Sequence, residues 1–416
     1  MSNNSRKSNI DDGWEMIIIR SIDEIEAIRP IWEKMHADEP YPMVNADIDR
    51  YLSVLRATGD RCSPFVLVCK QGGRPRAMVV GRLEKQNVPL RIGYKVILKP
   101  ELRCLTVIYG GILAPADDVV SAMLVRSLMK LLRRREADAI FFNHLRANSS
   151  FYRQVVTIPH FLCRNHFSVV HPHWRMRIPK TLEEFYRGLS TKHRHNIRGA
   201  VRKLEKQWHD RLEIIHHRRP EDVDRLCEDV ECVALKTYQH SLGAGFQNTP
   251  LMQSMSKTDA QRGRLLVSVL YIENRPCAFQ WSTVYGHTYF FERMGYDPAW
   301  TKSGLGTVLF VKVLELLCAD DGLKHIDFGF GDAQYKNSYG DESWEEVATT
   351  YIMAPRVCPV LVGILDSVNA GLVRSLTMIA KKVELLAWIK RLWRRRLQRT
   401  ATQRKKAAHD SDGTST

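Results

Sequence analysis

His287-Thr-Tyr-Phe-Phe-Glu-Arg-Met-Gly-Tyr296, Thr301-Lys-Ser-Gly-Leu-Gly-Thr-Val-Leu-Phe310 and His325-Ile-Asp-Phe-Gly-Phe-Gly-Asp-Ala-Gln-Tyr-Lys336 follow one another closely. They read as a strand, a glycine loop opening a long helix, a second strand, and a loop dense in functional groups. A Gly-x-Gly at a helix start is a place for phosphate. The first backbone N–H groups there lack intrahelical partners, and the helix dipole favours negative charge. A phosphorylated donor is therefore expected against Gly304 and Gly306, with the chemistry beside the loop Asp327 to Lys336.

The totals set the frame. At 416 residues the chain is long enough for two domains. Nine cysteines are scattered without a Cys-x-x-Cys pair, so neither a disulfide framework nor a zinc site is expected. His171-Pro-His173, His193-Arg-His195 and His216-His217 are not spaced as metal ligands, and no metal is expected. No apolar signal segment follows Met1 and no run of eighteen apolar residues occurs, so a cytoplasmic protein is expected, with peripheral contact to the inner membrane face as an option. The formal net charge of +16 points to an acidic partner. Much of that excess lies between Lys381 and Lys406.

The rest of the chain repeats one order of elements. Glu15 to Arg20 reads as a strand, and Ser21-Ile-Asp-Glu24 as a capping box ahead of a helix. Asp47 to Ala57 reads as a helix. Phe65–Cys69 and Ala77–Gly81 flank a Gly72-Gly73 hairpin. A Leu105 strand, a helix from Asp117 to Arg135, an Ala139 strand and a His173 strand follow. The second half runs from an Arg211 strand through a helix from Pro220 to about His240. A hairpin about Asn274-Arg-Pro276, the His287 strand, the Gly304 helix, a Lys324 strand and a Glu346 strand complete it. The expected class is α/β: two tandem modules of mixed sheet flanked by helices, plus a C-terminal amphipathic helix. The boundaries are 1–13 (disordered), 14–178, 179–355, 356–399 (basic helix) and 400–416 (disordered tail). Only the second half has a Gly-x-Gly; the first has Gly110-Gly111-Ile-Leu-Ala-Pro115 in its place. One module is expected to hold the donor and the other to shape the acceptor cleft.

Three pieces together resemble the GNAT acyltransferase superfamily in its tandem branch. They are Gly304-Leu-Gly306 after a strand, Asp327-Phe-Gly-Phe-Gly-Asp332 with Tyr335-Lys336, and Leu189-Ser-Thr-Lys-His-Arg-His-Asn-Ile-Arg198. The branch includes acetyltransferases of exopolysaccharide and cellulose gene sets and Fem-type aminoacyltransferases. The resemblance covers roughly Thr181 to Ile352. It implies GNAT-like modules, acetyl-CoA or another acyl-CoA as co-substrate, and Lys302, Ser303, Gly304, Leu305, Gly306 and Thr307 around its phosphates. Thr301 departs from the Gln or Arg usual at that place, and Lys302 can supply the charge.

Acyl transfer needs a held donor, a deprotonated nucleophile, a stabilised oxyanion and a protonated leaving group. Glu292, in an otherwise apolar strand, is the candidate base; the alternative is a strand carboxylate beside Arg293. Asp332 is a candidate to orient the acceptor or assist as base; the alternative is a turn cap. Tyr335 is the candidate acid for the leaving group, ahead of Tyr339; the alternative is a core aromatic. Lys336 matches the lysine that Fem relatives place on the transferring acyl group; the alternative is a surface lysine. On the helix from Ser190 to Gln207, Ile197, Ala200, Val201 and Leu204 form the buried stripe. Lys192, Arg194, Asn196 and Arg198 are candidates to hold the substrate, and Arg198 and Arg202 share a face. A solvated basic face is the alternative.

From Pro359, apolar residues recur at spacings of four and three as far as Leu386, then Trp388, Trp393 and a basic cluster follow. Such a helix can lie on an anionic membrane or pack on the body. The leading function is transfer of an acyl group from acyl-CoA to an amino or hydroxyl group of a saccharide or lipid-linked envelope precursor. The alternatives are aminoacyl transfer from aminoacyl-tRNA, and a non-catalytic membrane or nucleic-acid adaptor.

Overall fold

The computed structural model describes residues 8–10, 13–92, 95–237 and 245–382. In chain order the elements are β1 Ser8–Ile10, β2 Trp14–Ile19, α1 Ile22–Ala27, α2 Arg29–Ala37, α3 Ile48–Thr58, β3 Cys62–Gln71, β4 Arg74–Asn87, β5 Leu90–Ile92, β6 Lys95–Leu98, β7 Glu101–Leu113, α4 Asp118–Arg133, β8 Ala139–Arg146, α5 Ser150–Thr157 and β9 Val170–Arg177. Then come α6 Leu182–Gly188, α7 Thr191–Trp208, β10 Leu212–His217, α8 Val223–Ala234, α9 Pro250–Gln261, β11 Leu265–Ile272, β12 Arg275–Tyr285, β13 Thr288–Tyr296, α10 Leu305–Cys318, β14 His325–Phe330, α11 Gln334–Tyr339, β15 Glu342–Met353 and α12 Val357–Lys382. The repeated order is present: each half has helices, a hairpin, a strand, a crossover helix and a strand parallel to the one before. The parallel pairs are β7 with β8 and β13 with β14, and each needs its helical crossover, α4 or α10.

Local signals act as the sequence requires. Ser21 accepts the Glu24 amide, and the Glu24 carboxylate reaches back to the Arg20 amide. Asp47 and Asp117 cap α3 and α4 through their side chains. Two readings change. The helix opened by Pro220 ends at Ala234, and His240 lies outside the described residues. Ser8–Ile10 pairs with β2, so the stretch 1–13 is not wholly without structure.

The chain forms two compact units. Unit one comprises Met1–Arg177, Val284–Phe290 and Lys324–Gly371; unit two comprises Ile178–Thr283, Phe291–Leu323 and Leu372–Thr416. The units are thus not the contiguous pieces 14–178 and 179–355. Hydrogen bonding explains the exchange: β15 lies between β8 and β9, and β14 pairs with β9.

In unit one the strands run β1-β2-β3-β4-β7-β8-β15-β9-β14, followed by the start of β13. Alternation along β3 and β4 sends residues to both faces. Phe65, Leu67 and Val79 meet Leu124, Leu128 and Leu131 of α4. Val66, Val68 and Val80 meet Trp32, Tyr51 and Leu52. In unit two, α8 and α9 cover β11 and β12 with Val223, Leu226 and Val230 set against Val267, Val269 and Trp281. The apolar helix α10 is buried through Leu305, Val308, Leu309 and Val311 and packs on α6, α7 and β11.

The start of α12 belongs to unit one. Tyr351 donates to the Gly363 carbonyl (3.1 Å) and to Asp366 (3.0 Å), and Val362 is buried. The other side carries Val357, Leu361, Leu365 and Val368, each at least half exposed. Trp388, Trp393, the basic cluster and the tail 400–416 lie outside the described residues.

Candidate active site

Polar residues converge on the central strands of unit one. His173 on β9, Asp327 on β14 and Glu346 on β15 are buried, and Tyr109 on β7 reaches them. His173 Nε2 lies 2.7 Å from Asp327 Oδ1, and its Nδ1 lies 3.1 Å from both the Tyr109 hydroxyl and Glu346 Oε2. Tyr109 donates to Glu346 at 3.0 Å, and Trp344 Nε1 donates to the same carboxylate at 2.9 Å. Burial alone pushes the His173 imidazole down; the hydrogen bonds and charges of Asp327 and Glu346 outweigh it and raise the group to about 9. Burial pushes the Glu346 carboxyl up, but His144, His173 and Trp344 hold it well below the usual range. Burial and the Glu346 charge keep the Tyr109 phenol protonated far above its ordinary value. At neutral pH the cluster is therefore an imidazolium held between two carboxylates.

Asp327, Glu346 and Tyr109 form part of the wall of a cavity of about 880 Å³ in unit one, a volume suited to a small-molecule ligand. Tyr41, Arg146, Arg175 and Trp344 also line it. The Arg146 guanidinium lies 4.2 Å from the Tyr41 ring centre and 4.4 Å from that of Trp344. Arg175 lies 4.6 Å from Tyr41 and pairs with Glu342 at 2.9 Å. Trp344 stacks on His173 at 4.3 Å with the planes 11° apart. Glu39 is half-buried here. Burial raises its carboxyl to about 7, against the lowering effects of the Ala114 amide and Arg146.

The loop after β14 leads away from this cluster. Asp327 Oδ1 also accepts the Gly329 amide at 2.7 Å, closing a turn that needs the left-handed φ of 70° at Gly329. Lys336 is half-buried. Its ammonium donates to the Phe330 carbonyl (2.7 Å) and the Gly329 carbonyl (3.2 Å), and burial lowers it to about 8. Tyr335 is half-buried with its ring edge-on to Phe328, and Asp332 is exposed. Lys336 thus staples the kinked loop from inside, while Asp332 faces solvent.

The remaining expected site residues fall in unit two. Gly304 takes φ 67° and ψ 29° as the first cap of α10, and no side chain caps that end. A Cβ on Gly306 would come within 2.8 Å of Met294 Cε, so its glycine lets helix and strand approach closely. Leu305 is buried, Ser303 and Thr307 are half-buried, and Lys302 contributes its backbone to the turn before Gly304. Glu292 is exposed on β13 and accepts a hydrogen bond from Thr283 at 2.7 Å. On α7, Ile197 and Leu204 are buried, with Ala200 and Val201 half-buried. Lys192 and Asn196 are exposed and Arg194 is half-buried. Arg198 pairs with Glu183 at 2.5 Å and lies over the Tyr186 ring, which ties α7 to α6.

The structure brings Lys336 within reach of the Asp327 charge and Tyr335 against Phe328 in unit one, and groups the glycine loop with α7 in unit two. Sequence reasoning missed His173, Glu346, Tyr109, Arg146, Tyr41, Trp344 and Glu39. Two faint signals were present. His171, His173 and Arg175 alternate along β9, as Trp344 and Glu346 do along β15, so each set lies on one face of its strand.

Residues 191–337 match the family model described as an Acetyltransferase (GNAT) domain. No curated protein matches the chain. Among solved structures, the chain is similar to FemX, with TM-score 0.55 and 9% identity over 78% of this chain and 96% of that one. It is also similar to a tandem GNAT protein from the clavulanic acid biosynthesis pathway, with TM-score 0.49 and 11% identity over 82% and 99%. A GCN5-related N-acetyltransferase from Sphaerobacter thermophilus gives TM-score 0.41 and 14% identity over 84% and 98%.

Proposed function

We propose that this chain, a GNAT-type acyltransferase whose domain match spans residues 191–337, moves an acetyl or other acyl group from acyl-CoA to an amino or hydroxyl group of a saccharide or lipid-linked envelope precursor. The observation that carries the donor half is the start of α10. Gly304 is in the left-handed region and no side chain caps the helix, so the first-turn amides are the proposed anion position. Thr307 and Ser303 flank that turn. The catalytic assignments are Glu292 as base toward the nucleophile and Tyr335 as acid toward the thiolate. Lys336 acts as the charged donor to the acyl oxygen, and Asp332 orients the acceptor. Lys192, Arg194, Asn196 and Arg198 are assigned to substrate contact.

Titration of the full chain with acetyl-CoA by calorimetry tests this reading. Saturable binding that Thr307→Glu abolishes with unchanged thermal unfolding supports it, because a carboxylate there repels phosphate. Similarity to the FemX fold favours a second reading, aminoacyl transfer from aminoacyl-tRNA. Absence of acetyl-CoA binding together with salt-sensitive tRNA binding would favour that one.

The membrane contact proposed for the C-terminal arm is peripheral. By length and composition the run Val357–Met378 is long enough to cross a bilayer. Tyr351, Asp366 and Val362 instead engage one side of α12 with unit one, which supports a helix lying on a surface with its exposed side toward lipid.

A further inference from the structure

We propose that the strand pair β5–β6 is a second bilayer contact of unit one, which meets anionic phospholipid headgroups on the same face of the sheet as α12. Alternation along the central strands separates the two faces. Leu102, Cys104, Ala139, Tyr351 and Met353 point to one side, where Leu90 of β5 and Val362 of α12 join them in a buried cluster. Leu105, Ile140, Phe142 and Ile352 point to the other side and meet α4. The pair β5–β6 and the start of α12 therefore cover one face of the sheet together.

Both covers present aliphatic side chains outward. Ile92, Ile97 and Leu98 are each more than half exposed, as Leu361 is on α12. Phe167 extends this apolar surface at the far end of the helix: it is exposed, and a Cβ added to Gly371 would come within 3.2 Å of its ring. Large apolar side chains left exposed in a group mark a contact surface.

Charge selects the partner. Arg91, Lys95 and Lys99 are exposed on and just beyond the two strands, and among the described residues none of them is paired with a carboxylate. The carboxylates where β7 and β8 begin are already engaged, Glu101 with Lys85 at 2.8 Å and Asp138 with Arg103 and Arg356. Unpaired cations beside exposed aliphatics suit a lipid surface: the aliphatics enter the acyl boundary while the charged ends stay with the phosphates. The chain's own stretch from Lys381 to Lys406 is basic, so like charge keeps it from covering these residues. The proposal deepens the peripheral reading of α12 and rests on it for the choice of a bilayer as partner.

The test is sedimentation of the full chain with vesicles of mixed phosphatidylserine and phosphatidylcholine, and with vesicles of phosphatidylcholine alone. Arg91→Gln with Lys95→Gln and Lys99→Gln is expected to weaken binding to the mixed vesicles at least ten-fold, with unchanged thermal unfolding. Ile92→Asp with Ile97→Asp is expected to weaken it by a similar factor; if that variant does not fold, the glutamine variant decides. Native affinity in the glutamine variant overturns the proposal, and the α12 reading then stands alone if Leu365→Glu with Leu372→Glu still weakens binding. Weakening by the strand-pair variants and not by the α12 variant has the reverse meaning: β5–β6 binds lipid and the α12 reading falls. A native chain that binds neither vesicle overturns both. A dimer of that chain, seen by analytical ultracentrifugation and separated by Ile92→Asp with Ile97→Asp, would then assign the surface to a second copy.

Discussion

His173 Nε2 lies 2.7 Å from Asp327 Oδ1, with the two side chains 1% and 7% exposed, while Glu346 holds the other ring nitrogen. Removing the imidazolium leaves two carboxylates in the centre of the unit-one sheet without their cation. His173→Phe fills a similar volume, yet it is expected to cost roughly 3–5 kcal/mol in denaturant unfolding. The pH dependence has two limits. The His173 group is raised from about 6.5 to about 9, so its contribution is complete below 6.5 and is lost as pH rises through 9. The shift corresponds to roughly 3 kcal/mol. Glu346 is depressed, so its contribution is present above the ordinary glutamate range and is lost as pH falls below it. Unfolding measured across pH should show the alkaline loss in the native chain and not in His173→Phe.

Gly304 and Gly306 make different demands, and stability separates them. Gly304 has a left-handed φ of 67°, with Ala200 Cβ at an ordinary 3.5 Å from an added Cβ. Gly304→Ala is therefore expected to cost about 1 kcal/mol through backbone strain. At Gly306 an added Cβ comes within 2.8 Å of the flexible end of Met294, which can shift, and 3.4 Å from the Tyr296 ring. Gly306→Ala should melt close to the native chain while weakening acetyl-CoA about ten-fold. Calorimetry and thermal unfolding of the two variants check the pair; equal melting of both would refute the strain argument.

The order of elements was legible because each carries its own signal: alternation in β3 and β4, caps at Ser21, Asp47 and Asp117, and Gly72-Gly73 between strands. The exchange of strands between halves was not. Nothing local tells β15 to insert between β8 and β9; the pairing is seen only in the sheet, where Val347 lies between Leu145 and Val170. The same limit hid the buried cluster. His173, Asp327 and Glu346 are distant in sequence and meet through sheet order. The glycine loop could be read because its residues are adjacent, and Lys336 could be placed in its loop without its carbonyl partners being visible.

Lys336 tests the acyl-oxygen assignment. Its ammonium spans the Phe330 and Gly329 carbonyls, and burial lowers it to about 8. Lys336→Met leaves those carbonyls without their donor, a loss of about 1–3 kcal/mol, and kcat/KM should fall about 10–100-fold. The cation exists below about 8, so the native rate should decline as pH rises through that value. Lys336→Arg should move this decline to higher pH. An alkaline limb that stays in place in Lys336→Arg would assign it to another group.

The exposed side of α12 predicts where the chain settles. Leu361, Leu365, Leu372 and Leu376 are each at least half exposed along one stripe, and the sequence continues into the basic residues from Lys381 to Lys406. Anionic lipid attracts such residues by about 1 kcal/mol each near the surface, and salt weakens the attraction. The full chain should co-sediment with phosphatidylserine-containing vesicles at low salt and release at high salt. Leu365→Glu with Leu372→Glu should weaken binding at least ten-fold with unchanged unfolding, because neither side chain is in the core. Removing residues 383–416 should abolish the preference for anionic over neutral vesicles while leaving acetyl-CoA binding intact. Equal sedimentation with neutral phosphatidylcholine vesicles would mean that charge does not guide the contact, and retention in the double variant would place the contact away from this stripe.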